Sequence, residues 1–164
     1  MVHPLVIQHR QNGHFEQRYL LHSKPQVPVS RFHIEDKSLN PKAVYTLPEG
    51  AEEQPWNIER VGDGYILSNP GGAPTAAIPH KGQEYLFALL NGERPTKWKI
   101  ESVISAGFSL YVIKSADDGK FWVSSAPEHK NPTEENQIEI KRLILQPVEP
   151  PRYPPEAVFE IVRS

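Results

Sequence analysis

The chain has 164 residues, no cysteine, a net charge of −2 and 38% hydrophobic residues, enough apolar chain for one folded core. Without cysteine there is no disulfide framework, thiolate metal site or catalytic thiol; the near-neutral charge gives no basic footprint for nucleic acid, and no apolar run approaches the ~20 residues that span a membrane. The 17 prolines are about twice the usual share of ~5%, and their spread along the chain argues against helices and long central strands.

Residues 1–12 are expected to form an arm or extra strand, with residues 5–7 packing on a single domain that covers residues 13–164. The first ten residues show no long apolar core followed by small residues, so no signal peptide is expected. A cytoplasmic protein is the expectation, with leaderless export left open. Short apolar runs then predict strands at 18–21, 27–32, 43–47, 56–58, 65–67, 75–78, 85–90, 98–100, 110–113, 121–123, 138–145 and 158–162. Each is bounded by Gly, Pro, Asn, Asp or Ser. Gly62-Asp63-Gly64, Asn91-Gly92 and Asp117-Asp118-Gly119 supply turn residues that accept positive φ. The longest helix candidate, 84–90, is too short and too β-like. One helical turn is expected at 156–158, after Pro154-Pro155.

The strands repeat. Tyr19, Tyr65 and Tyr111 each open a Tyr-apolar-apolar strand, at spacings of 46 and 46 residues. A second aromatic closes each unit: Trp56, Trp98 and Phe159, lying 37, 33 and 48 residues after the corresponding tyrosine. Each interval has room for two more strands. Three units of four short strands describe an all-β fold of the β-trefoil type with pseudo-threefold symmetry. The closing aromatics are expected to pack at the pseudo-threefold axis.

Little in the sequence points to an enzyme. There is no glycine-rich phosphate loop, nucleophile elbow or convincing pair of carboxylates. Five of the seven histidines, His3, His9, His14, His22 and His33, fall early in the chain at irregular spacing. They read as solvated side chains on an N-terminal arm, with no metal or cofactor expected. Gln54-Pro55-Trp56 matches the Gln-x-Trp of ricin-type lectins once, but Thr96-Lys97-Trp98 and Ala157-Val158-Phe159 lack the Gln. Trp56 therefore reads more simply as core, and a carbohydrate-binding lectin stays an alternative.

A rigid scaffold can also present a binding loop. The best candidate runs from Arg31 to Lys42, between the second and third strands of the first unit. Within it Lys37-Ser38, flanked by Asp36 and Leu39, is a scissile pair suited to a trypsin-like protease. The trypsin pocket ends in a carboxylate that pairs with a Lys or Arg head. Pro41 stiffens the loop, and stiffness removes ordering cost on binding. The ordinary charged loop remains the plain alternative.

The run Ile34-Glu35-Asp36-Lys37-Ser38-Leu39-Asn40-Pro41-Lys42-Ala43-Val44, continued by Leu47-Pro48-Glu49-Gly50, resembles the fungal (basidiomycete) β-trefoil serine protease inhibitors of the cospin family. So do Gly72-Ala73-Pro74-Thr75, Leu86-Phe87-Ala88, Leu143-Ile144-Leu145-Gln146-Pro147 and Pro150-Pro151-Arg152-Tyr153-Pro154-Pro155 before Val158-Phe159-Glu160-Ile161. Residues 1–12 resemble nothing in that family. The resemblance implies a monomeric inhibitor of trypsin-like proteases, with a defensive role. A basic residue in the loop between the second and third strands would enter the primary pocket: Lys37, with Arg31 as the alternative. Glu35 and Asp36 beside Lys37 are mildly unfavourable for trypsin. A neighbouring fungal trefoil group inhibits papain-like cysteine proteases through loops containing Gly, and Gly71 and Gly72 are the matching residues here.

Overall fold

The computed structural model describes residues 17–23, 27–31, 35–48, 50–69, 71–103, 106–124 and 136–164. The expected strand at 5–7, and the arm it belongs to, lie outside these residues. The strands among the described residues are β1 (Arg18–Ser23), β2 (Val27–Arg31), β3 (Lys42–Thr46), β4 (Trp56–Val61), β5 (Gly64–Asn69), β6 (Ala73–His80), β7 (Gln83–Ala88), β8 (Trp98–Ser102), β9 (Leu110–Ser115), β10 (Phe121–Val123), β11 (Asn136–Gln137), β12 (Glu139–Lys141) and β13 (Phe159–Arg163). A 3-10 turn at Pro155–Ala157 accounts for the expected helical turn. The fold is all-β.

Pairing closes the sheet on itself. β1 pairs β4, β4 pairs β5, β5 pairs β8, β8 pairs β9, β9 pairs β13 and β13 returns to β1. Six of the remaining strands pair antiparallel as β2–β3, β6–β7 and β10–β12. The third strands also join one another, β3 to β7, β7 to β12 and β11 to β3.

The two aromatic series meet across the sheet. Tyr19 stands opposite Trp56, Tyr65 opposite Trp98 and Tyr111 opposite Phe159. Directly opposed residues put their side chains on the same face, so all three pairs point into the closed sheet. Trp56, Trp98 and Phe159 surround Trp122 at centroid distances of 6.0, 5.4 and 6.0 Å. The indole N–H of Trp56 donates to Val29 O at 2.8 Å, and that of Trp98 to Thr75 Oγ1 at 3.0 Å. Trp122 is fully buried, and its own N–H has no partner among the described residues. The tyrosines gather too. Burial raises the Tyr19 phenol against the opposing pull of Arg163, and Tyr111 and Tyr65 are near enough to push it the same way.

Residues 84–90, set aside as a helix, contain most of β7, in keeping with the strand expected at 85–90. Several boundaries shift. β6 extends to His80 because a two-residue turn, Lys81-Gly82, with φ of 52° and 81°, lets the hairpin stay in register to its tip. The expected strand at 138–145 ends at Lys141. There the chain leaves the sheet: Leu143 packs on a second apolar cluster of Val103, Leu110, Val112 and Phe121, and Ile144 is fully exposed.

Gly64 marks a close approach. A Cβ at this position would lie 2.9 Å from the carbonyl oxygen of Trp98 and closer still to the Lys97 side chain. Trp122→Ala is expected to cost about 3–5 kcal/mol through the cavity it leaves among three aromatics. The denaturant midpoint should fall accordingly. Gly64→Ala should lower it by forcing β5 away from β8.

Candidate functional site

The loop between β2 and β3 starts on a partly buried cation and ends on a buried one. Arg31 closes β2. Its Nε donates to Glu35 Oε2 at 3.1 Å and its Nη2 to Glu35 Oε1 at 2.6 Å, a two-pronged pairing that fits the planar guanidinium. The Arg31 N–H donates to Asn69 Oδ1 at 3.2 Å, which fastens the base of the loop to the end of β5. Asn69 is buried. Residues 32–34 lie outside the described residues.

Lys42 opens β3 with its side chain only 6% exposed. It alternates with Val44 and Thr46 on the buried face of the strand. An ammonium removed from water needs acceptors, and the loop folds back to provide them. Lys42 Nζ donates to the Asp36 carboxylate, to the Asp36 carbonyl oxygen at 3.3 Å and to Ser38 Oγ at 3.2 Å. Asp36 Oδ1 also accepts the Ser38 N–H at 2.9 Å and the Ser38 hydroxyl at 2.5 Å, an Asx turn. Ser38 Oγ accepts the Asn40 N–H at 3.3 Å. Hydrogen bonds from the Lys42 ammonium, and then from the Ser38 hydroxyl and amide, hold the Asp36 carboxyl far below its ordinary value.

Lys37 and Leu39 stand at the tip. Lys37 is exposed, and no hydrogen bond or ion pair engages its ammonium among the described residues. Leu39 is 59% exposed. The two acids beside Lys37 face inward to partners, Glu35 to Arg31 and Asp36 to Lys42. Lys37 is therefore the cation of this loop without a carboxylate on it, and the acidic neighbours that looked unfavourable are already neutralised.

The glycine turn lies next to the base of this loop. Gly71 and Gly72, at φ of 78° and 79°, are exposed, and a Cβ on either would meet nothing within 4 Å. Asn69, which carries Arg31, also accepts the Gly72 N–H on its carbonyl at 3.1 Å. Pro70 lies outside the described residues.

Other sequence candidates are structural. Trp56 is buried, and the Gln54 side chain accepts the Ser30 hydroxyl at 2.8 Å, so Gln54-Pro55-Trp56 offers no exposed aromatic platform. His22 was expected to be a solvated arm residue. It instead lies in β1, buried between Glu160, 2.8 Å from Nδ1, and Glu53, 2.5 Å from Nε2, because β1 pairs β13 at that point. Among the described residues no cluster has the makings of a metal site. Sequence reasoning missed Lys42 and Asn69. The alternation of β3 was the available signal for Lys42, since Val44 fixes the buried face two residues on.

The architecture is thus a closed all-β scaffold that presents an internally braced loop with a cation at its tip, the layout of a protein that binds a partner through a loop. Residues 15–163 match the model of the peptidase inhibitor I66 family, and the chain belongs to that family. It is 44% identical over 148 residues to a serine protease inhibitor of Lentinula edodes, covering 89% of this chain and 95% of the relative. Among solved structures it resembles a proteinase inhibitor from Coprinopsis cinerea, with a TM-score of 0.75 at 32% identity, covering 92% of this chain and 99% of that one. A ricin B-like lectin from Macrolepiota procera, solved in complex with lactose, shares the fold at a TM-score of 0.67 and 12% identity, covering 98% of this chain and 100% of that one. Membership in a family of peptidase inhibitors agrees with the expectation of a non-enzyme.

A carboxyl depressed in the folded state stabilises above its unfolded value and loses that contribution as pH falls toward the folded one. Loop order should therefore hold at and above the ordinary Asp36 value of 3.8 and decline only in stronger acid. Exchange of the Ser38 amide, followed by NMR across acid pH, checks this. Asp36→Asn should remove the acid-dependent step.

Proposed function

We propose that this chain is a β-trefoil serine protease inhibitor that binds trypsin-like enzymes as a substrate would, with Lys37 entering the primary pocket. The observation that carries the reading is the Lys37 ammonium, exposed at the tip of a loop in which, among the described residues, the other charges are paired internally. A braced loop loses little freedom on binding. The cation meets the carboxylate at the base of a trypsin-type pocket, and Leu39 offers apolar contact two residues beyond. Arg31 is the weaker candidate, because its guanidinium would first have to leave Glu35 and a largely buried position. Lys81 is exposed but sits on a two-residue turn with positive φ, where no extended backbone can be offered.

The trefoil reading is supported by pairings that recur in each unit: first strand with last, last with the next first, second with third. The three Tyr-to-aromatic oppositions and the resemblance to a ricin B-like lectin support it as well. A second reading, inhibition of papain-like proteases, is favoured by the open Gly71-Gly72 turn, where unshielded backbone can approach a narrow cleft.

Titration of trypsin with the protein tests the first reading. Stoichiometric, reversible inhibition is expected, and activity untouched at micromolar protein would defeat it. Lys37→Asn should weaken inhibition by about 2–5 kcal/mol, roughly 30- to 4,000-fold. Lys37→Arg should retain it, and Arg31→Gln should weaken it far less. Papain, titrated in parallel, should respond to Gly71→Trp and not to Lys37→Asn if the second reading holds.

A further inference from the structure

Any protein that offers a Lys-Ser bond to a trypsin-like protease risks being consumed. The Lys37–Ser38 bond is spanned by contacts that do not depend on it. Asp36 lies on one side of the bond; Ser38 and Lys42 lie on the other. Asp36 Oδ1 receives the Ser38 amide, the Ser38 hydroxyl and the Lys42 ammonium, and the Asp36 carbonyl receives Lys42 again. Upstream, Glu35 is tied to Arg31, and Arg31 to Asn69. Downstream, Lys42 belongs to β3, which pairs β2 and β7. Both halves of the loop are therefore fixed to the sheet and to each other.

We propose that Asp36 and Lys42 act as positioning residues that clasp the two sides of the Lys37–Ser38 bond, so that the protease can open the bond but not release it. The inference rests on the reading of Lys37 as the residue in the primary pocket. When the protease serine oxygen adds to the Lys37 carbonyl carbon, its proton passes to the protease's general base. The C–N bond then breaks, and the Ser38 nitrogen takes that proton and leaves as an amine. In an ordinary substrate this amine diffuses away, and water converts the acyl ester to a Lys37 carboxylate. Here the Ser38 nitrogen is the atom 2.9 Å from Asp36 Oδ1, and Lys42 holds the Ser38 hydroxyl at 3.2 Å. The amine stays beside the ester carbon, where it re-attacks and restores the peptide bond with release of the serine hydroxyl. An effective concentration far above that of a free peptide favours this return. If hydrolysis does occur, the new Ser38 ammonium faces the Asp36 carboxylate, and the nicked loop keeps its shape.

The test compares the wild type, Asp36→Asn and Lys42→Met during prolonged incubation with catalytic trypsin. Cleavage is followed by mass, as the gain of one water, and inhibition is measured on the same samples. For the wild type, slow nicking is expected to reach a mixture of intact and nicked chain, the nicked chain still inhibiting and partly resealing. Both variants should still bind, more weakly because the brace is lost, while cleavage runs roughly 10- to 100-fold faster as the charged hydrogen bonds across the bond are lost, and inhibition becomes temporary. Asp36 is 71% exposed, so its variant tests the clasp with little risk to the core; a single cooperative thermal transition confirms the fold in both. Variants cleaved no faster than the wild type, or nicked wild type without inhibition, would overturn the clasp while leaving Lys37 as the anchor. A wild type that never inhibits trypsin would overturn the underlying reading and the clasp with it.

Discussion

Trp122 stands where the three closing aromatics would otherwise leave a hole. Its ring meets Trp56, Trp98 and Phe159, and each of these lies opposite a tyrosine on the neighbouring strand. Six strands can close into a ring only if their inward side chains fill the space without strain, and this cluster fills it. With no cysteine in the chain, nothing covalent holds the ring. The other strands and the loops inherit their positions from that packing.

The loop between β2 and β3 shows how a surface feature draws on this interior. Lys42 is buried because it shares a strand face with Val44. Burial leaves its ammonium in need of acceptors, and Asp36 and Ser38 supply them. The shape of the exposed loop is thus set by a charge that is not exposed. Arg31 and Glu35 brace the other limb in the same way, through Asn69 and the end of β5. In small secreted inhibitors disulfides commonly do this work; here two internally paired cations do it. Pro41 lies within the braced loop, beside the residues that carry the hydrogen bonds.

Much of the fold was legible because the chain is punctuated. Short apolar runs between Gly, Pro and Asn located the described strands to within a few residues, β11 excepted, and the tyrosine spacing of 46 marks three residues that each stand opposite another aromatic. The boundaries that shifted did so for local reasons: a positive-φ Lys81 extended one hairpin, and Leu143 left the sheet to cover a separate cluster. The candidate site was legible as a segment but not as a mechanism. A lysine in sequence reads as solvated, so Lys42 passed unnoticed. Arg31 stood as the alternative to Lys37, and the sequence did not show that Glu35, four residues on, holds its guanidinium. His22 was misplaced because its partners, Glu53 and Glu160, are 31 and 138 residues away. Pairings of that separation leave no trace in local pattern.

The joining of β1 to β13 has a further consequence. Four consecutive pairs, from Tyr19 with Arg163 to His22 with Glu160, zip the first described strand to the last. Neither end of the ring is an edge that can peel away alone, so local opening is coupled to opening of the whole sheet. A chain that opens only as a unit exposes few cleavable segments to a protease in the meantime. The cooperativity of ring closure thus shields the body of the molecule.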